Sequence, residues 1–203
     1  MKVALIGATG NAGSRILTEL LSRGHSVVAL ARHTEKLAPH ASVTAVTADA
    51  NDSADLAGKL RGVDAVISAT KFKGTSTQGL IDAVRAAGVK RYLVVGGAGS
   101  LTTADGSREM DSPKFPPHVL PEAQAGSAFL DQLKAASDLD WTFLSPSRFF
   151  IAGERTGKFR LGSNQLLVAA DGKSSISFED YAIALVDELE QSRHVKQRFT
   201  VGY

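Results

Sequence analysis

The short run Lys2-Val3-Ala4-Leu5-Ile6 passes directly into Gly7-Ala8-Thr9-Gly10-Asn11-Ala12-Gly13, and beyond the glycines Ile16, Leu17, Leu20 and Leu21 fall on one face at helical spacing. Strand, glycine bend and helix in that succession are the context in which a glycine pattern reads as a phosphate-binding motif. Gly7 permits a tight turn after the strand. Gly10 lets the backbone approach a pyrophosphate where a Cβ would collide, and Gly13 lets helix and strand pack closely. The first N–H groups of the helix have no partner within it and carry partial positive charge, so an anion is stabilised there. The spacing is G-x-x-G-x-x-G rather than G-x-G-x-x-G, and 19 glycines in 203 residues produce triplets by chance. Its position directly after the first strand is what gives the pattern weight. Thr9, Asn11 and Ala12 lie in the same loop and join the glycines as candidate ligand contacts. The alternative is a bend with no ligand.

The rest of the chain repeats the alternation. Strands are predicted at 26–31, 43–47, 64–68, 91–95 and 141–144, with helices at 53–60, 75–87 and 123–136 between them. Most of these strands are apolar on both faces, which indicates a parallel sheet covered on each side by helices. The fold class is therefore α/β, a Rossmann-like doubly wound, mostly parallel sheet. Residues 96–121 break the pattern with a glycine cluster and four prolines, a loop long enough to be functional. Residues 153–175 read as hairpins and turns. Ser177 caps a last helix, with Asp180 at its third position, and Arg198–Val201 reads as a terminal strand. With no linker-like stretch, 1–203 is expected to form one dinucleotide-binding domain, with small substrate-side elements at about 147–178.

Bulk properties narrow the classes of function. The chain is 43% hydrophobic and 22% charged with a formal net charge of +2, which gives no reason to expect nucleic acid or an anionic membrane as a partner. It has no cysteine, so disulfides, thiolate metal sites and cysteine nucleophiles are excluded, and no metal is expected. The first apolar run is five residues long and belongs to a strand, so no signal peptide is expected. No stretch approaches the ~18–20 apolar residues of a membrane span. The expected location is cytoplasmic.

In doubly wound sheets ligands bind beyond the carboxyl ends of the strands. Strand two ends at Ala31-Arg32-His33. An acid there would hold the ribose 2′-hydroxyl of NAD, whereas Arg32 suits a 2′-phosphate, which favours NADPH over NADH; the alternative is a solvated basic turn. Strand three ends at Ala48-Asp49-Ala50. Asp49 suits the adenine amino group, or equally a turn or helix cap. After strand four, Ala69 and Thr70 admit the dinucleotide backbone, while Lys71 reaches a phosphate or sits in water. Gly96 and Gly97 leave room for the nicotinamide, and Pro146 and Ser147 present main-chain groups to its carboxamide.

Taken together these residues resemble the atypical short-chain dehydrogenase/reductase group, more narrowly its NADH-flavin reductases related to the NmrA-like proteins. The likeness rests on the opening Gly-Ala-Thr-Gly-Asn-Ala-Gly and on Leu139-Asp140-Trp141-Thr142-Phe143-Leu144-Ser145-Pro146. It continues through residues 153–162, Gly-Glu-Arg-Thr-Gly-Lys-Phe-Arg-Leu-Gly, and Glu179-Asp180-Tyr181-Ala182. The order and spacing are also similar to the biliverdin-IXβ reductase/flavin reductase family. The resemblance implies a Rossmann fold and reduction of flavins or similar flat acceptors by a nicotinamide cofactor. Two departures stand against tetrapyrrole reduction: Ser147 occupies the place of a histidine in the biliverdin reductases, and Ser100 matches their serine after strand five only approximately.

Carbonyl chemistry needs a group that moves a proton as hydride moves. The large short-chain family uses Tyr-x-x-x-Lys, and here Tyr92 is followed four residues on by Gly96, Tyr181 by Leu185, and Tyr203 by nothing. A carbonyl reductase or sugar-nucleotide epimerase is disfavoured. Flavin reduction asks mainly for positioning. The 100–120 loop, Phe149 and Phe150 are expected to wall the acceptor ring, although two phenylalanines serve equally well as core. Ser100 can donate to a ring carbonyl or cap a turn. His118 can supply a proton or sit solvated in its loop. Arg155 can meet an anionic substrate tail or pair with a carboxylate. The expected partner is a small aromatic acceptor such as FMN. The rival readings are an NmrA-like dinucleotide sensor without turnover and an NADPH-dependent quinone reductase.

Overall fold

The fifth and sixth residues of the chain already point into different cores. In the computed structural model, which describes residues 1–203, β1 (Lys2–Ile6) sends Val3 and Leu5 to one face of a sheet and Ala4 and Ile6 to the other, as the two-residue period of a strand requires. After the glycine bend comes α1 (Asn11–Ser22), then β2 (Ser26–Ala31), β3 (Val43–Thr47), α2 (Ser53–Lys59) and β4 (Ala65–Ser68). These are followed by α3 (Thr77–Ala86), β5 (Arg91–Val95), α4 (Leu120–Ala135) and β6 (Asp140–Pro146). The chain closes with β7 (Phe149–Ile151), β8 (Arg160–Gly162), β9 (Ser175–Ser177), α5 (Phe178–Gln191) and β10 (Gln197–Gly202).

Eight strands form one sheet in the order β3-β2-β1-β4-β5-β6-β10-β8. Every neighbouring pair is parallel except β10 with β8 at one edge. One face is packed by Leu56, Leu80, Val84 and Phe129 from α2, α3 and α4. The other is packed by Ile16 and Leu20 of α1 and by Tyr181, Leu185 and Leu189 of α5. Each stripe follows the i, i+3/i+4 spacing seen in the sequence. Asp52, Ser76 and Ser177 accept from the N–H three residues on and so start α2, α3 and α5.

Most boundaries fall within two residues of the sequence expectation, and three differences stand out. The helix α4 begins at Leu120, three residues earlier than predicted, because Pro121 occupies its first turn, where a missing N–H costs nothing. The strand β6 runs on to Pro146. Residues 153–175 hold no hairpin. Within them β8 pairs with β10, while β9, which begins at Ser175, forms a separate parallel pair with β7, which a tight turn cannot connect.

Candidate functional site

The strand order reverses between β1 and β4, and the chain leaving their carboxyl ends forms a cleft. Gly7 has φ +85° there, and a Cβ on it would stand 2.5 Å from the Ala69 carbonyl oxygen. A Cβ on Gly13 would run into the Gly7 carbonyl, so this glycine sets the close approach of α1 to the strand end. Gly10 has more room: its Cβ would meet Gly7 O at 3.3 Å and Ala69 O at 3.8 Å, and the residue lines the cleft. It is also the residue before α1 and offers no side-chain cap. The N–H groups of Asn11, Ala12 and Gly13 consequently have no acceptor, and the first turn carries no acid. Uncapped donors in a glycine cradle are what a pyrophosphate fits.

On one side of this bend lies a polar hollow of about 350 Å³. Gly7, Thr9 and Gly10 line it, with Arg32, Asp49 and Ala50 from the ends of β2 and β3. Ala69, Thr70 and Lys71 close it after β4. Arg32 is exposed and has no carboxylate partner, whereas its neighbour His33 lies 3.2 Å from Glu35. Asp49 borders the hollow and also accepts from Asn51 N–H at 2.9 Å, so it is a turn residue placed at the site. Asn51, which the sequence reading passed over, donates to Gly74 O and accepts from Ser76 N–H. It joins the loop after β3 to the loop after β4.

On the other side lies an apolar hollow of about 480 Å³, which Gly10, Ala69, Thr70 and Lys71 border as well. Asn11, Ala12, Gly97, Pro146 and Ser147 line it. Gly96 lines it too, but the space of its missing Cβ is filled by the Phe143 ring and the Leu144 carbonyl, so its smallness serves packing. Ser147 is buried, and its hydroxyl donates to Val201 O at 3.0 Å. Phe150 forms part of the wall, with its ring centroid 4.5 Å from that of Phe178 and 4.6 Å from that of Tyr181. From the long loop come Phe115 and Val119. Phe72 was missed by sequence reading. Its ring lies 6.2 Å from Phe143, and a Cβ on Gly126 would come within 2.7 Å of it. A lone phenylalanine in a lysine- and glycine-rich loop gave no signal.

Three candidates stand elsewhere. Phe149 is 55% exposed and lines neither hollow. Arg155 makes a two-pronged ion pair with Glu19 at 2.9 and 3.0 Å, the carboxylate alternative, away from both hollows. His118 is exposed and borders neither. Ser100 does line the apolar hollow, and its Oγ accepts from Arg198 Nη1 at 3.4 Å. A guanidinium only donates, so the Ser100 proton stays available to the hollow. Arg198 has no carboxylate partner, and burial pulls its pKa below the usual arginine value.

Two carboxylates hold the walls. Glu122 accepts from Phe72 N–H and Lys73 N–H at the start of α4. Buried Glu109 in the long loop takes Arg148 at 2.6 and 2.8 Å, a pairing that raises the Arg148 pKa. No tyrosine lines either hollow. Tyr92 and Tyr181 are fully buried, and Tyr203 hydrogen-bonds Asp180. No cluster of three His, Asp or Glu is placed to hold a metal ion, and no helix is long and apolar enough to cross a membrane.

Residues 7–192 match the family model described as NAD(P)H-binding. Solved structures that resemble the whole chain include the following three. A Burkholderia pseudomallei protein named as a candidate exported protein is 45% identical with a TM-score of 0.89, covering 100% of both chains. A Bacteroides thetaiotaomicron protein named as a candidate epimerase is 43% identical with a TM-score of 0.96, covering 100% of this chain and 96% of its own. A Streptococcus pneumoniae protein named as a candidate NADH-flavin reductase is 37% identical with a TM-score of 0.82, over 100% of this chain and 99% of its own. The three names agree on no single reaction.

Proposed function

The chain belongs to the NAD(P)H-binding family of Rossmann-fold, oxidoreductase-like proteins, and from that premise we propose that it reduces a flat aromatic acceptor, a flavin such as FMN, FAD or riboflavin, at the expense of NADPH. The observation that carries the reading is the pair of hollows meeting at Gly10 and Ala69–Lys71, one polar with an unpaired Arg32, the other walled by aromatic rings. The name of the Streptococcus pneumoniae neighbour supports the acceptor class.

The free N–H groups of Asn11, Ala12 and Gly13 hold the pyrophosphate. Arg32 holds the 2′-phosphate and so sets the preference for NADPH. When bound, the dihydronicotinamide supplies a hydride. Phe72, Phe115, Phe150 and Phe178 exclude water and hold the acceptor ring flat. Ser100 donates its proton in a hydrogen bond to a ring carbonyl, and solvent protonates the reduced ring. An epimerase or carbonyl reductase needs a placed proton carrier, and the absence of any tyrosine from the hollows weighs against the activity in the Bacteroides thetaiotaomicron neighbour's name. The reading calls for a cytoplasmic setting, where reduced nicotinamide is regenerated.

The test is NADPH oxidation followed with FMN, FAD, riboflavin and a quinone. Steady turnover with flavins supports the reading. Turnover with the quinone alone makes the chain a quinone reductase, and tight NADPH binding without turnover makes it a sensor.

A further inference from the structure

A third hollow, of about 520 Å³, opens beside the apolar one, and Arg148 borders both. Arg160 of β8, Thr103, Gln165 and Leu167 also line it. None of its lining side chains is acidic. The guanidiniums keep donors in hand. Arg148 gives Nε and Nη2 to Glu109, which leaves Nη1 without an acceptor. Arg160 gives Nη2 to the backbone oxygens of Val168 and Tyr203, which leaves Nε and Nη1. Of the five N–H bonds each guanidinium carries, both residues keep a free pair on one terminal nitrogen. Asp105 accepts from the Thr103 hydroxyl and does not line the hollow.

We propose that this third hollow is an anion subsite that takes the phosphomonoester tail of an acceptor whose ring lies in the apolar hollow, so that the protein selects phosphorylated flavin over its dephosphorylated form. The inference rests on the flavin-reducing function proposed above. Two guanidiniums in planar fork geometry suit a phosphate better than a point charge does. Glu109 neutralises Arg148 in part, and Arg160 lies against the backbone oxygen of Tyr203, the last residue of the sequence, so what both guanidiniums offer a phosphate is chiefly their free N–H donors. Arg148 is 42% exposed on its side chain, so the attraction is screened by salt.

The experiment measures binding of FMN and of riboflavin by flavin fluorescence quenching with NADP present, at low and high salt, for the native chain, Arg160→Ala and Arg160→Lys. The expected result is FMN binding about tenfold tighter at low salt, a difference of ~1.4 kcal/mol. That advantage shrinks at high salt and in Arg160→Ala and is largely restored in Arg160→Lys, with riboflavin binding unchanged throughout. Equal binding of the two flavins, or an FMN advantage indifferent to Arg160→Ala, overturns the subsite while leaving the flavin reading intact. If neither flavin binds, both fall. Should Arg160→Ala fail to fold, inorganic phosphate decides: competition with FMN and not with riboflavin supports the subsite, and no competition overturns it.

Discussion

The carboxylate of Glu122 accepts the main-chain N–H groups of both Phe72 and Lys73, at 2.7 and 2.8 Å. One side chain in the first turn of α4 thereby fixes the loop after β4, whose Phe72 walls the apolar hollow and whose Lys73 borders the polar one. In Glu122→Ala two donors lose a charged acceptor. Stability should fall by about 1–3 kcal/mol in urea unfolding, and the KM values for NADPH and acceptor should rise together.

Arg32→Asp replaces the unpaired cation at the end of β2 with an acid suited to a ribose hydroxyl. The ratio of kcat/KM for NADPH over NADH should drop by about tenfold or more. An unchanged ratio removes Arg32 from the 2′-phosphate.

Gly10 and Gly13 should fail in different ways. A Cβ on Gly13 meets backbone, so Gly13→Ala should cost about 1–3 kcal/mol or more of stability. Gly10 has φ −74° and ψ 171°, ordinary for any residue, and its Cβ would meet Gly7 O at 3.3 Å, a contact that a small shift relieves, against 2.1 Å for Gly13. Gly10→Ala should melt within about 1 kcal/mol of the native chain yet lose dinucleotide binding in a titration.

Ser100 lines the apolar hollow, and His118 does not. Ser100→Ala should lower kcat about tenfold, the value of one hydrogen bond of ~1.4 kcal/mol made in the transition state. His118→Ala should leave kcat and its pH profile as they were.

Acid should weaken the hold on α1. Burial of Glu19 would by itself raise its pKa, but the hydrogen bonds and charges of Arg155 and Arg23 outweigh this and leave it lowered. A carboxyl whose pKa is lower folded than unfolded contributes stability that is whole above the unfolded value and lost as pH falls through the folded one. Urea midpoints of the native chain should therefore decline below the ordinary glutamate range, and Glu19→Gln should be less stable at neutral pH with a flatter acid limb.

Local chemistry was legible where periodicity or a cap carried it. The Ser177 cap, the strands at 26–31, 43–47 and 91–95 and the glycine bend follow from residues near one another in sequence. What stayed hidden depends on distant residues meeting. Glu122 lies 50 positions from Phe72, and Arg148 lies 39 from Glu109. Neither pairing leaves a periodic trace. Phe149 and Phe150 illustrate the same limit: adjacent in sequence, they point to opposite sides of β7, so only one faces the site. Arg155 likewise gave no hint that Glu19 waits for it on α1.

Gly10, Ala69, Thr70 and Lys71 form a partition common to the polar and the apolar hollows. A dinucleotide held at the glycine bend and reaching Gly97, Pro146 and Ser147 would cross this partition and line the second hollow, so on the proposed reading an acceptor arriving early finds its seat half built. On the proposed flavin reading the carrier should therefore bind before the acceptor, and double-reciprocal plots of turnover should cross rather than run parallel.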